Sequence, residues 1–486
     1  MTFKKRDLIL FIVFTFAVGF LGAYTGLKVL QPNVSSNQQA NIPIVKEKRS
    51  SSDVDADLAT IKQAYELIEQ HFIEDVKEDQ LLEGAIQGML ETLNDPYSSF
   101  MNREAMERFN EQIQSSFQGI GAEVSMVEGK VTIVAPIKDS PAEKAGLRPN
   151  DQIIKVDDEE LEGLDLNEAV EKIRGEKGSE VVLLVQRGNA EPFELTIVRD
   201  DIPIETVHQE IESVDGKKTG IIEISSFSET TADEFEKALS DLESDGIEGL
   251  VIDVRGNPGG LLDSIEEILH SFVPEDVPYL QIEDGQGNRE KYYTQLKEKK
   301  EYPISVLVDE GSASASEILA VAMKEIGYDV VGTTSFGKGT VQQAVPIGSD
   351  EEESTIKLTF YKWLSPEGNW IDEVGVEPTV EQEQPEFFYA NPIHVEETFK
   401  YDDTDEQIKN AQIMLSGIGY ETGREDGYFD EETKQAVTVF QKDHDLKATG
   451  EIDEDTAFAI ESEVIEVIRS GEEDLQLEKA LETLYE

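Results

Sequence analysis

The run Ile304-Ser305-Val306-Leu307-Val308-Asp309-Glu310-Gly311-Ser312-Ala313-Ser314-Ala315-Ser316-Glu317-Ile318-Leu319-Ala320-Val321-Ala322-Met323 decides the fold. It opens as a buried strand, closes as a helix, and joins the two largely through small residues. At such a join backbone N–H groups and a hydroxyl can approach a ligand closely, and a helix N-terminus favours an anion or a developing oxyanion. A second stretch, Ser335-Phe336-Gly337-Lys338-Gly339-Thr340-Val341-Gln342, follows the strand-like Val330-Val331-Gly332 and sets one lysine between two glycines. A serine on a strand-to-helix turn, with a lysine from a neighbouring element, points to a Ser–Lys hydrolase. Alone, the first stretch is a helix cap and the second a turn. Together they carry chemistry, although chemistry alone leaves Ser312, Ser314 and Ser316 as rivals for the nucleophile.

Outward from this pair, strand–helix–strand order recurs. Residues 219–224 and 249–255 read as strands, and residues 231–242 as an amphipathic helix with Phe235, Leu239 and Leu242 on one face. That order argues for an α/β core. Gly256-Asn257-Pro258-Gly259-Gly260 follows the second strand and leads to a helix over residues 261–272. Glycines there suit close approach of a ligand as well as a simple turn. Residues 341–347 and 354–363 are two more strand-like runs, and Pro378 closes the domain.

Composition sets wide limits. The chain has 486 residues, enough for several domains, and 38% hydrophobic residues, enough for real cores. Its 103 acidic against 42 basic residues leave a formal net charge of −61. Such a chain repels nucleic acid and anionic lipid, so no nucleic-acid partner is expected. There is no cysteine, which excludes disulfides, thiol nucleophiles and thiolate metal sites. The five histidines are scattered without metal-ligand spacing, and no metal or other cofactor is implied.

At the N-terminus Lys4-Lys5-Arg6 precede a predominantly apolar run over residues 8–27, long enough to span a bilayer. The basic residues would stay inside and the rest of the chain outside. A cleaved signal peptide is the alternative, but Ala23-Tyr24-Thr25 is a poor cleavage site, which favours an uncleaved, single-pass anchor. Residues 31–52 read as a polar tether. Residues 53–114 read as helical, with one apolar stripe of Leu58, Ile61, Ala64, Tyr65 and Ile68 and another of Leu81, Leu82, Ala85, Ile86, Met89 and Leu93. Asn94-Asp95-Pro96-Tyr97-Ser98 breaks the second helix.

Taken together, these motifs resemble those of the C-terminal processing (tail-specific) proteases, the S41 peptidases. That family carries Ser-Ala-Ser-Ala-Ser-Glu and Thr-Phe-Gly-Lys-Gly-x-Val-Gln signatures, with Ser335 here in place of the threonine. It also carries Asp-Leu-Arg-x-Asn-x-Gly-Gly, with Val254 here in place of the leucine. The resemblance implies a ClpP/crotonase-like α/β protease core over residues 201–380, multidomain in context, with a PDZ domain ahead of it. It implies Ser314 as nucleophile, Lys338 as general base, Gln342 as the group that orients the lysine, and Gly260 and Ala315 N–H groups as the oxyanion hole. Residues 115–200 resemble a PDZ domain. Gly119-Ile120-Gly121-Ala122 is similar to its carboxylate-binding loop and residues 166–173 to its groove helix. A PDZ groove takes a protein C-terminus as an added strand. Arg174, just after that helix, is a candidate substrate-side contact between PDZ and protease, or a plain surface arginine. The family pairs through N-terminal helices, which implies a homodimer. Residues 381–403 read as an acidic linker. Residues 404–465 resemble the small three-helix peptidoglycan-binding domain, making the cell wall a candidate partner, and residues 466–486 form a charged tail. A non-catalytic PDZ scaffold between membrane and wall remains the alternative, as does an acyl-CoA enzyme of the crotonase-like fold.

Overall fold

The computed structural model describes residues 51–127, 129–161, 163–188, 190–348, 354–471 and 473–486. The anchor and most of the tether lie outside the described residues. Among the described residues no helix is long and apolar enough to cross a membrane. The described chain starts with helices α1 (Ser51–His71) and α2 (Glu78–Glu91), a short strand β1 (Ser99–Met101) and helix α3 (Arg103–Ile113). Leu58, Ile61, Ile68, Leu82, Met89 and Leu93 remain exposed while Tyr65, Leu81 and Ile86 are half-buried, so this chain covers the two apolar stripes only in part. Met101, Phe109 and Ile113 do pack inward, against Leu261.

Strand β2 (Ser116–Gly119) enters the next unit, a sheet of β3 (Ala122–Val127), β4 (Lys130–Pro136), β5 (Asp151–Val156), β7 (Glu180–Arg187) and β8 (Phe193–Val198) in that order. Helices α4 (Pro141–Ala145) and α5 (Leu166–Ile173) and the short β6 (Glu159–Glu160) complete it. Its core is Ile133, Ile153, Leu183 and Val185 with Ala169 and Ile173 of α5. A reciprocal capping box fixes the start of α5: Glu168 N–H donates to Asp165 and Asp165 N–H donates to Glu168. Strand β9 (Asp200–Pro203) then pairs back on β2, so the unit hangs on a two-stranded neck.

The α/β core sheet follows: β10 (Val207–Val214), β11 (Lys217–Ile224), helix α6 (Thr231–Ser244), β12 (Gly249–Asp253) and helix α7 (Leu262–Leu269). A hairpin of β13 (Pro278–Asp284) and β14 (Arg289–Tyr293) precedes β15 (Ile304–Val308), helix α8 (Ala315–Glu325) and β16 (Asp329–Gly332). Then come β17 (Thr340–Ile347), β18 (Ser354–Leu364) and β19 (Val380–Glu381). The order β10-β11-β12-β15-β16-β19 is parallel throughout, except that β10 runs antiparallel to β11. A second sheet, β1-β18-β13-β14 with β17 also on β18, stands beside it. In the first sheet Ile222, Ile252, Val306 and Val330 face helices α6, α7 and α8. The alternate residues Ile221, Val251, Leu307 and Val331 face the other way. Both faces are apolar, as a parallel sheet covered on both sides requires.

The cover on that second face comes from the far end of the chain. Helices α9 (Glu406–Gly417), α10 (Glu431–Asp443) and α11 (Glu454–Ser470) form a bundle, and α12 (Leu475–Thr483) follows. Asp405, Asp430 and Asp453 each cap the helix after them through a side-chain oxygen. Buried Gln412 and Gln441 accept the N–H groups of loop residues Gly427 and Gly450, which fixes the bundle's turns. The stretch read as a linker is not free chain, because Phe387 and Ile393 are buried in the bundle core. Nor is the charged tail a solvated one. Ala480, Leu481 and Leu484 pack on Ile221, Val251, Leu307 and Val331. Burying each such leucine is worth roughly 1.5–3 kcal/mol. Tyr485 adds a hydroxyl contact to Thr219 at 2.6 Å.

Candidate active site

Ser314 sits where β15 meets α8, as the residue before the helix, with φ 59° and ψ −108°. A serine does not settle in this left-handed backbone region unaided. Its N–H donates to Glu317 Oε2 at 2.7 Å, and its carbonyl accepts Ile318 N–H at 2.9 Å. The three serines of the turn differ in what their hydroxyls do. Ser312 Oγ donates to Val254 O and Ser316 Oγ to Asn257 O, both at 2.8 Å. Ser314 Oγ is buried and has no hydrogen-bond partner. Two serines are therefore fasteners, and the third carries a free hydroxyl.

Lys338 is 1% exposed, and its Nζ likewise has no hydrogen-bond partner. The backbone around it is pinned. Lys338 N–H donates to Glu317 Oε2 at 2.8 Å, and Lys338 O accepts from Trp363 Nε1 at 2.7 Å. Gly339 N–H donates to Asp372 and Gly339 O accepts from Trp370 Nε1. Both of the chain's tryptophans thus hold this loop. Burial pushes the lysine from 10.5 down to about 7; nearby Lys357 helps, while Glu317 and Asp95 oppose the shift. At that value an amine can act as a base near neutrality.

Glu317 joins the two stretches, a role the sequence reading did not give it. Its carboxylate is fully buried and accepts from Ser314 N, Lys338 N, Gly337 N and Ser335 Oγ at 2.6–2.8 Å. Burial pushes this carboxyl up, against four hydrogen bonds that favour its charged form. The signal was present in the sequence: Ser314-x-x-Glu317 has capping-box spacing. The hydroxyl at Ser335 belongs to the same network and also accepts Val376 N–H at 2.7 Å. Serine keeps the hydroxyl that threonine would supply.

The glycine loop lies against the serine turn. Asn257 staples it: its Oδ1 accepts Gly259 N–H, and its carbonyl accepts Ala313 N–H. A Cβ on Gly259 would stand 2.8 Å from Ser314 Cβ and 3.0 Å from Ala315 N. Gly260, at φ 156°, presses on Phe227, whose oxygen a Cβ would meet at 1.9 Å. Phe227 N–H donates to Gly259 O, and Phe227 O accepts Leu261 N–H. Among the described residues nothing accepts the N–H of Gly260 or of Ala315.

Gln342 is on strand β17, not on a helix, beside a register shift between Val341 and Gln342. It is buried, but its amide donates to Thr340 Oγ1 and Thr359 Oγ1 at 3.0 and 3.1 Å. Glu317 thus links the backbones of Ser314 and Lys338, the glycine loop lies against Ser314 and Ala315, and Gln342 is unbonded to the lysine.

Gly119 ends β2, and Ile120 and Gly121 make the turn into β3, which Ala122 begins. The turn is anchored from below, since Gly121 O accepts from Ser140 Oγ and Ile137 N. Strand β3 is an edge of its sheet, the condition for taking an added strand. Arg174 ends α5, but its partners are on the segment entering this unit. It lies 3.8 Å from Glu111 and stacks on Phe117, 4.8 Å from the ring centroid. The expected contact with the catalytic sheet is replaced by one with α3 and β2.

A buried lysine lowered towards neutrality, an unbonded serine on a strained strand-to-helix turn and two open N–H groups are the groups that serine hydrolysis calls for, and a PDZ-like unit precedes them in the chain. The S41 peptidase family model matches residues 218–382, a PDZ domain model residues 132–187 and a peptidoglycan binding domain model residues 404–460. A model of the N-terminal domain of the activating protease CtpB matches residues 16–105. Carboxy-terminal processing protease CtpB of Bacillus subtilis is 50% identical over 469 residues, covering 96% of both chains. Carboxy-terminal processing protease CtpA of the same organism is 40% identical, covering 90% of this chain and 92% of that one. The chain belongs to peptidase family S41, and within it to the serine-type C-terminal processing peptidases with a PDZ domain.

Proposed function

We propose that this peptidase captures the free C-terminus of exported proteins in its PDZ groove and cleaves them with Ser314 as nucleophile and Lys338 as general base. The observation that carries this reading is the pair of buried, unbonded reactive atoms, Ser314 Oγ and Lys338 Nζ, on two residues whose backbone N–H groups both donate to the Glu317 carboxylate. A scaffold has no use for a desolvated lysine, whose burial opposes folding. In acylation the Ser314 proton passes to Lys338 Nζ while Oγ attacks the peptide carbonyl. The N–H groups of Gly260 and Ala315 receive the oxyanion, each worth roughly 3–4 kcal/mol. The lysine then protonates the leaving amine, and water resolves the acyl-enzyme.

Substrate docking is the step that brings Gln342 from Thr340 and Thr359 onto the lysine amine. As a neutral group it orients the base without raising its pKa as a carboxylate would. The sequence pattern of residues 4–27 supports a membrane anchor with the catalytic part outside the cytoplasm. The match over residues 404–460 supports a hold on peptidoglycan, and the exposed apolar stripes of α1 and α2 support pairing of two copies. The test is cleavage of an unfolded exported protein, offered with a free and with an amidated C-terminus. The free form should be cut faster, and Ser314→Ala and Lys338→Ala should both be inactive. Equal rates on the two termini would remove the PDZ-directed part of the reading, and an active Ser314→Ala would remove its chemistry.

A further inference from the structure

We propose that Tyr97, from the segment between α2 and β1, is a positioning residue of the peptidase site. Its ring face holds the Lys338 amine and stabilises the ammonium formed when that amine takes the Ser314 proton. This rests on the Ser314–Lys338 reading above.

Lys338 Nζ lies 4.9 Å from the Tyr97 ring centroid, within the range of about 6 Å over which a cation is drawn to a ring face. The amine has no hydrogen-bond partner, so the ring is its polar neighbour on that side. The segment is fixed in place. Asp95 accepts Tyr97 N–H at 3.1 Å and Ser98 Oγ at 2.5 Å. Ser98 Oγ in turn accepts Thr359 N–H at 3.1 Å, and Ser99 stands opposite Lys357 in the β1–β18 pairing. Strand β18 also carries the Thr359 hydroxyl to which Gln342 donates. The N-terminal region thus supplies one wall of a site whose other walls belong to the catalytic core.

A ring suits this place better than a carboxylate. A carboxylate against the amine would hold it protonated and unable to act as a base. A neutral ring attracts the ammonium far less, and only while the charge exists. In acylation the Ser314 Oγ–H bond breaks and an N–H bond forms on Nζ as Oγ bonds to the carbonyl carbon. The proton leaves Nζ for the departing amine when the C–N bond breaks. The ring's attraction therefore grows as the transition state forms, which is where stabilisation raises rate. The charged groups around Lys338 are Glu317 of α8, Asp95 of the same segment and Lys357 of β18. Burial, with Asp372, Glu317, Asp95 and Glu373 nearby, pushes the Tyr97 phenol up to about 12, so the ring stays neutral over the working range.

The test compares Tyr97→Leu and Tyr97→Phe in the full chain, purified in detergent, with one peptide substrate across pH. Tyr97→Leu should lower plateau kcat about 3- to 30-fold with little change in KM. It should also move the acid limb of kcat/KM to lower pH by roughly 0.4–1.5 units, because the ammonium has lost a partner. Tyr97→Phe keeps the ring and should stay within about twofold of the unaltered chain. If Tyr97→Leu melts early, Tyr97→Met fills similar space without a ring and should show the same profile. An unmoved limb and plateau in the ringless variants would overturn the proposal, as would a loss in Tyr97→Phe equal to that in Tyr97→Leu. Ser314→Ala and Lys338→Ala run alongside. If they cleave normally, the site reading itself has failed; if they are inactive while Tyr97→Leu is unaffected, only the role of Tyr97 has.

Discussion

Lys338 sits where an ammonium is poorly solvated, so its charge is set by burial and a few neighbours. With its pKa lowered to about 7, kcat/KM should rise with unit slope on the acid side and level off above about pH 7. Stability follows from the same shift. Between about pH 7 and the unfolded value near 10.5, the unfolded chain holds a proton here that the folded chain does not. Stability therefore rises with pH across that window, and below it the folded state bears the full burden of a buried charge. Lys338→Met should abolish cleavage yet raise stability at neutral pH by an amount on the order of a few kcal/mol; a lower melting temperature would contradict the burial argument. Glu317→Ala should do the opposite on stability. It strands three buried N–H donors and a hydroxyl, at a cost of about 3 kcal/mol or more by denaturant titration. At this scale the sequence was legible where a residue type is rare for its setting: a lysine between glycines, a serine in a small-residue turn. Glu317 was less so, since a glutamate at that spacing caps a helix whether or not it also holds a second loop. Gln342 was named only through the family resemblance, and its four-residue spacing from Lys338 carries no geometry because residues 340–347 form strand β17.

At the scale of elements, the site is three loop-to-element junctions pressed together. The glycine loop after β12, the serine turn before α8 and the lysine loop before β17 share Asn257 and Glu317 as staples. Gly259 is the tightest point of contact and has φ 98°. Gly259→Ala should push the loop off the serine turn and lower kcat by roughly 10²-fold, the scale of a lost oxyanion donor. A kcat near that of the unaltered chain would mean that the loop can yield without moving Gly260. The strands were legible because their alternation or continuous apolarity is local. The pairing of β17 with β18, and of β1 with β18, joins residues far apart in sequence, which no periodicity reveals. The break at residues 94–98 was visible as a helix stop, but its position against Lys338 follows from that long-range pairing.

At the scale of the whole molecule, the chain closes on itself. Its last helix covers the face of the catalytic sheet opposite α8, and Asp474 grips Arg255 at 2.8 Å, one residue before the glycine loop begins. The tail that follows the three-helix bundle is therefore packed into the peptidase core. Burial pushes Asp474 up, but the Arg255 hydrogen bonds and charge outweigh it and hold the carboxyl low. The stability from this pair should be complete above about pH 4 and be lost as pH falls through the lowered value. Asp474→Ala should cost about 2–3 kcal/mol at neutral pH, since Arg255 keeps Asp253 as a partner. Ending the chain after Ser470 should lower the melting temperature further, because Ile221, Val251, Leu307 and Val331 would face water. The charge count hid this arrangement. A run dominated by Glu and Asp reads as solvated, although Ala480, Leu481 and Leu484 fall on one side of a single helix.

Ser314, activated by Lys338, is the nucleophile we propose. The direct measurement is peptide mapping by mass spectrometry after the full chain reacts with a fluorophosphonate in the presence of a peptide bearing a free C-terminus. The account expects one adduct, on Ser314, with a labelling rate that rises through about pH 7 and labelling lost in Lys338→Ala. An adduct on Ser312 or Ser316, or labelling of Ser314 indifferent to Lys338, would contradict it.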